Sequence, residues 1–145
     1  MAHVRQLIRD NVTTTLTGLT TTGTRVYKSR VYPVATTPGL AIYTKSESVE
    51  YSSMSGQRTQ FRSLALTVEI YVKGVTGYDN DIDLICAEIE AALYSDITRG
   101  GYARDTTISD MDVEFSGDGE QPLALATMTI EVDYITKEGA PSVAV

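Results

Sequence analysis

Residues 63–73 read SLALTVEIYVK, and this stretch decides the fold class. Its apolar side chains stand at every second position, which is the repeat of a β-strand with one face on a core. The sequence therefore predicts a strand with a mostly polar outer face. The core-facing residues are expected to be Leu64, Leu66, Val68, Ile70 and Val72.

Four other segments favour strands. Arg25–Val34 is rich in β-branched and aromatic residues and contains Pro33, which predicts a strand followed by a bend. Leu40–Tyr51 is extended and apolar at its start, and a serine-rich turn joins it to the central strand as a long hairpin. Met111–Phe115 alternates with acidic residues and predicts a half-buried strand. Leu123–Thr136 alternates in the same way and predicts the last strand.

Two segments have the helical repeat instead. Between Ala2 and Leu19 the apolar residues recur in steps of three and four, but the second half is rich in threonine, so we expect its end to fray. The second helix follows Asp79 and ends near Ser95. Its apolar stripe consists of Ile82, Ile85, Cys86, Ile89 and Leu93.

The order of these segments predicts an α+β fold. Hairpin-like links favour an antiparallel or mixed sheet of four to five strands, with both helices packed on one face. A chain of 145 residues without repeats or long linkers indicates a single domain over residues 1–145. We expect residues 137–145 to form a loose tail.

Composition excludes several classes of function. The formal net charge of −7 opposes a long footprint on nucleic acid, which requires clustered Lys and Arg. His3 and Cys86 are the only histidine and cysteine, so neither a zinc cluster nor an internal disulfide is expected. No stretch of about 18 apolar residues occurs, so we expect no membrane association and a protein that stays in the cytosol of the cell that makes it.

The search for catalytic or metal-binding motifs predicts no enzyme and no cofactor. His3 lies at the extreme amino terminus, where we expect it to be solvated, and Cys86 lies on an apolar stripe, where we expect it in the core. Residues 79–83 resemble the start of a calcium loop, but Leu84 stands where such a loop needs glycine. An acidic helix start is the favoured interpretation.

Two pairs of carboxylates need a separate interpretation. Asp110 with Asp112, and Glu131 with Asp133, are spaced by two residues on predicted strands, so each pair lies on one face. General acid–base chemistry would need them in a pocket. The sequence predicts a solvated outer face instead.

Three segments together resemble the tail terminator proteins of long-tailed bacteriophages, also called tail completion or tail-to-head joining proteins. They are HVRQLIRDNVTTTLTGLTTTGTRVYKSRVYPV at 3–34, PGLAIYT at 38–44 and GDGEQPLALATMTIEVDYIT at 117–136. The resemblance extends through most of the chain, with an acidic helix between these segments. Its signatures are structural and include no catalytic residue.

The resemblance implies a structural virion protein at the head–tail junction, made in the host cytoplasm. Such a subunit forms a ring, commonly of about six copies. The ring caps the tail tube, ends tube polymerisation and joins the tail to the head connector, so the implied partners are further copies, the tail tube protein and the connector protein. DNA would cross an acidic lumen without specific binding. The candidate subunit or partner contacts are Arg25, Lys28, Arg30, Met54, Gln57 and Arg58.

Three other interpretations remain open at this stage. A head-completion or connector adaptor would share the ring geometry but sit on the other side of the same junction. A small cytosolic ligand-binding or enzymatic α+β domain would hold two of the paired carboxylates in a deep pocket. A cytosolic regulator that binds one host protein would be a monomer or dimer.

Overall fold

A computed structural model describes residues 2–27, 38–52, 56–73, 77–116 and 123–145 of the chain. Within these residues two helices, α1 and α2, and six strands, β1 to β6, make up an α+β domain. In chain order they are α1 (Val4–Leu16), β1 (Val26–Tyr27), β2 (Gly39–Tyr51), β3 (Thr59–Lys73), α2 (Tyr78–Tyr94), β4 (Asp105–Ser116), β5 (Leu123–Lys137) and β6 (Ala140–Ala144).

The strands form one mixed sheet in the order β1-β2-β3-β5-β4, with β6 added beside β5. β1 and β2 are parallel, and every other described pair is antiparallel. β3 and β5 pair along their whole length, from Thr59 opposite Lys137 to Lys73 opposite Leu123. The sheet therefore has two long central strands, and β4 forms one of its edges.

Both helices pack on one face of this sheet, as the sequence predicts. α1 contributes Val4, Ile8, Val12 and Leu16 to the core, and α2 contributes the predicted stripe, with Cys86 among the buried residues. These side chains meet alternate residues of β3 and β5. Removal of this apolar surface from water is the main favourable term that holds the layers together.

The threonine run explains why α1 stops at Leu16, before the predicted end at Leu19. The hydroxyl of Thr13 donates to the Arg9 carbonyl oxygen at 2.9 Å, and that of Thr17 donates to the Thr13 carbonyl oxygen at 2.6 Å. Hydroxyls that bond to the carbonyl four residues earlier weaken and bend a helix. The chain leaves the helix at Thr17, which is extended.

Arg99 fixes the turn between α2 and β4. Its side chain is fully buried, and Nη2 donates to the Leu93 carbonyl oxygen at 2.6 Å and to that of Asp96. Nη1 donates to Oδ1 of Asn11 in α1 at 3.4 Å. The guanidinium thus adds side-chain bonds to carbonyls at and just after the end of α2, and links the two helices.

The structure corrects two expectations about the strands, and a third strand is described only in part. The described residues form a sheet of six strands, because β6 forms where we expected a loose tail: Glu138 and Gly139 turn the chain, and Ala140–Ala144 pairs with β5. Gly139 has a φ of 80°, which glycine adopts readily. Of the predicted strand Arg25–Val34, only β1 is described, and residues 28–34 lie outside the described residues. β3 is buried on both faces from Thr67 to Val72, not on one.

No helix among the described residues is long and apolar enough to cross a membrane.

Candidate interaction surface

The described residues include no group of three or more His, Cys, Asp and Glu side chains that could hold a metal ion. His3 caps α1, because its Nδ1 accepts from the Arg5 backbone N–H at 3.1 Å. Partial burial and the neighbouring Arg5 charge lower the pKa of His3. Burial raises the pKa of the Cys86 thiol to about 11, and Glu90 and Asp83 add to this effect. Cys86 is a core residue, as predicted.

The acidic run at 79–83 begins a helix, as predicted. α2 starts at Tyr78, and Asp79 and Asp81 lie in its first turn. Leu84 is a helical residue. The positive end of the helix dipole accounts for these acidic residues without a bound cation.

The paired carboxylates lie on the face of the sheet opposite the helices. All four are exposed: Asp110, Asp112, Glu131 and Asp133. A shallow concavity of about 390 Å³ contains Asp133, beside Arg104 and Phe61, and its described lining includes none of the other three. The pairs form an open acidic surface, which is the predicted arrangement and a poor one for general acid–base chemistry.

Of the predicted contact residues that the structure describes, Gln57 and Arg58 lie together, and Arg25 lies apart from them. Arg25 directly precedes β1 and lies beside the start of β2, where its Nε donates to the Pro38 carbonyl oxygen at 2.6 Å and its Nη2 to that of Thr21 at 2.9 Å. Gln57 and Arg58 lie beyond the other end of β2. Lys28, Arg30 and Met54 lie outside the described residues.

Gln57 and Arg58 make contacts within the chain. The Gln57 amide donates to the Glu138 carbonyl oxygen at 2.9 Å, and Arg58 forms an ion pair of 2.6 Å with the Glu138 carboxylate. The Arg58 guanidinium also lies 4.3 Å from the centre of the Tyr51 ring. These contacts hold the end of the β2–β3 hairpin against the turn before β6, and a role in binding a partner stays a prediction.

β4 carries a row of exposed apolar side chains, three of which lie in the segment Met111–Phe115 that the sequence predicted to be a half-buried strand. Ile108, Met111, Val113 and Phe115 are 36 to 48% exposed. They lie opposite Ile130, Met128, Ala126 and Ala124 of β5, all of which are in the core. The row is therefore on the helix-bearing face of the sheet, but the helices do not extend far enough over the edge strand to bury it.

A bulge at Ser109 keeps this row on one face. The register shifts between Ile108 and Asp110, so Ile108 and Met111 share a face although they are three residues apart. The Ser109 hydroxyl donates to the Thr129 carbonyl oxygen at 3.4 Å. The sequence predicted only the part of the row that alternates strictly, because a bulge breaks the two-residue period.

α2 and the turn after it form the other wall of this surface. A groove of about 300 Å³ runs between α2 and β4 and is lined by Leu93, Tyr94, Ile97 and Ile108, with Glu90 and Thr106. At the other end of β4 the Tyr78 ring stacks on the Phe115 ring, with centroids 4.9 Å apart. We call the four apolar residues of β4 together with Tyr94 and Ile97 the β4 surface.

A polar cluster lies away from β4, where the start of α1 packs near β2. The Glu47 carboxylate accepts from Arg5 and Arg62 at 2.9 Å each and from the Tyr134 hydroxyl. A register shift between Thr44 and Ser46 turns Glu47 toward the helices. Burial and then the bond to Glu47 raise the pKa of Tyr134. The cluster fixes the start of α1 on the sheet, and all its groups are paired.

No family model matches this sequence, and no curated protein matches it. Among solved structures, one similar chain belongs to the "Virion of native gene transfer agent (GTA) particle". The two chains are 12% identical, and the similarity covers 90% of this chain and 92% of that chain with a TM-score of 0.40. So low a score says nothing about the function of this chain.

Proposed function

We propose that this protein is a structural virion protein that caps a phage tail tube as a ring, ends tube polymerisation and joins the tail to the head connector. The observation that carries the proposal is the β4 surface. It is a row of large apolar side chains left exposed at the edge of a well-packed domain. Contiguous exposed apolar residues rimmed by polar ones are typical of surfaces that bind other proteins.

The acidic face of the sheet agrees with this proposal. The face opposite the helices carries exposed carboxylates on β4 and β5, among them Asp110, Asp112, Glu131 and Asp133. A negative surface repels the DNA backbone, which suits the wall of a passage that DNA crosses without binding. The same open arrangement disfavours a ligand-binding domain, which needs a concave site.

The resemblance to tail terminators supplies the specific role. The resembling segments include all of α1, the start of β2 and all but the last residue of β5, which are core-forming elements. The resemblance therefore supports the fold of the subunit, and the β4 surface supports its assembly with other copies. Neither depends on a catalytic residue.

The test is to mix the purified chain with the tail tube protein encoded in the same genome. Light scattering gives the mass of the chain alone and on the tube, and electron microscopy gives tube length. We expect a ring of about six copies at the tube end and tubes that stop growing. A chain that stays monomeric, ignores the tube and leaves tube length unchanged would refute the proposal. Binding to the connector protein but not to the tube would indicate the head-side adaptor instead.

A further inference from the structure

The edge of β4 is open along most of its length. Residues 107–115 are all exposed, and β4 has β5 as its one partner among the strands that the structure describes. An edge strand presents unpaired N–H and C=O groups that another chain can bind. Monomeric proteins usually shorten or cover such an edge, whereas β4 has 12 residues.

The charges of β4 limit what can bind there. Its sequence DTTISDMDVEFS contains Asp105, Asp110, Asp112 and Glu114 and no basic residue. Like charges placed directly opposite each other destabilise a strand pair. Two copies are therefore unsuited to meet β4 against β4, and the partner surface needs basic groups as well as apolar ones.

The side of the molecule formed by β2, away from β4, carries both basic and apolar groups. Arg9 of α1 donates to the Thr44 hydroxyl at 2.9 Å, which places its charge beside β2. Lys45 of β2 is exposed, and so are Val49, Tyr51 and one acidic residue, Glu50, further along the strand. We call this surface the β2 edge. Val49 lies opposite Arg62, on the helix-bearing side of the sheet, which is also the side of the apolar row on β4.

We propose that the β4 surface of one copy binds the β2 edge of a second copy. Because the two surfaces differ, each copy uses one of each, and the contact repeats from copy to copy in one direction. Such a contact closes into a ring if the rotation between neighbours allows it. The inference rests on the proposed function for the ring, but the contact between copies can be tested without any other virion protein.

Two lysine substitutions test the two sides. Val113 is 46% exposed on β4 and Val49 is 38% exposed on β2, so Val113→Lys and Val49→Lys should leave the fold intact. Each is expected to weaken self-association, measured by analytical ultracentrifugation, by about tenfold or more. Leu84 of α2 is 54% exposed and belongs to neither surface, so Leu84→Lys is the matched control and should associate as the wild type does.

A mixture of the two variants gives the decisive result. Val113→Lys keeps an intact β2 edge and Val49→Lys keeps an intact β4 surface, so the mixture should form 1:1 dimers that do not grow, while each variant alone stays monomeric. Circular dichroism checks that every variant is folded. The proposal is overturned if the wild type does not self-associate, if either variant associates normally, or if the mixture stays monomeric.

The outcomes for the contact and for the proposed function are distinguishable. Copies that associate through these edges but neither bind the tail tube protein nor stop tube growth would refute the tail-capping role and leave the contact standing. A chain that stops tube growth while the Val113→Lys and Val49→Lys variants assemble as the wild type does would refute the contact.

Discussion

β4 and β5 are neighbours in the sheet and have nearly the same alternating pattern, yet they differ completely in burial. Ile108 of β4 is 37% exposed, whereas Ile130, its partner on β5, is 0% exposed. β5 has β3 on one side and β4 on the other and lies under the helices, while β4 is at the edge and beyond their reach. Two paired apolar side chains on the same face of the sheet can therefore differ: the one on β5 is buried in the core, and the one on β4 remains exposed.

The largest expected effect compares these two isoleucines. Ile130→Ala removes buried methyl groups and leaves a cavity, which should lower the free energy of unfolding by about 2 to 5 kcal/mol. Ile108→Ala makes the same change on the exposed strand and should cost less than about 1 kcal/mol. Urea denaturation at a concentration low enough to avoid self-association measures both. Equal losses would mean that β4 contributes to the core after all.

The second comparison concerns a buried and an exposed carboxylate. The Glu47 side chain is 6% exposed and accepts from Arg62 and Tyr134, whereas Glu114 of β4 is exposed. Glu47→Gln leaves the Arg62 charge without its counter-ion and should lower the free energy of unfolding by about 2 to 4 kcal/mol. Glu114→Gln should change it by about 0.5 kcal/mol or less. A mild effect at Glu47, by the same denaturation assay, would show that its cluster does not hold α1 on the sheet.

The smallest effect concerns α2, which covers β5. Burial raises the pKa of Cys86 from 9.0 to about 11, so the folded protein keeps a thiol proton that the unfolded chain loses. Unfolding then releases a proton, and this part of the stability declines as the pH rises from about 9 to about 11. Cys86→Ala lacks this decline. The free energy of unfolding of the wild type, relative to that of the variant, should fall by about 2 kcal/mol between pH 8 and 11.

The alkaline titration has an internal control. Tyr134 also has a raised pKa and destabilises the fold at high pH, but it is present in both proteins, so its effect cancels in the difference. Denaturation curves at several pH values measure the difference in free energy of unfolding between the wild type and Cys86→Ala. If the two proteins lose stability in parallel from pH 8 to 11, Cys86 does not titrate as a buried thiol.

Much of the fold could be predicted from local patterns. The strands β2, β3 and β5 and both helices lie close to their predicted bounds, because each has a regular stripe of apolar residues facing the core, and a regular stripe is visible in the sequence. The α+β class with both helices on one face is confirmed. β6 was missed, because its five residues have no clear alternation and pair through a turn that only the end of β5 positions.

The candidate surface was harder to predict. The sequence search looked for basic and polar residues at hairpin tips and chose Arg58, whose charge the structure shows paired with Glu138. The β4 surface was hidden, because an exposed apolar residue looks the same in sequence as a buried one. The excess of acidic residues on β4 was the available signal, since a half-buried strand with four acids and no base is suited to the edge of a sheet.

The sequence by itself determined which residues alternate and where the helices lie, because these depend on neighbours along the chain. With one histidine and one cysteine, it also excluded an internal disulfide and a cluster of several such ligands. Only the tertiary structure decided which strand is central and which is at the edge. Burial depends on what packs from elsewhere in the chain: β3 and the helices bury the core face of β5 but leave the apolar side chains of β4 partly exposed. The surface proposed for assembly is therefore a product of strand order.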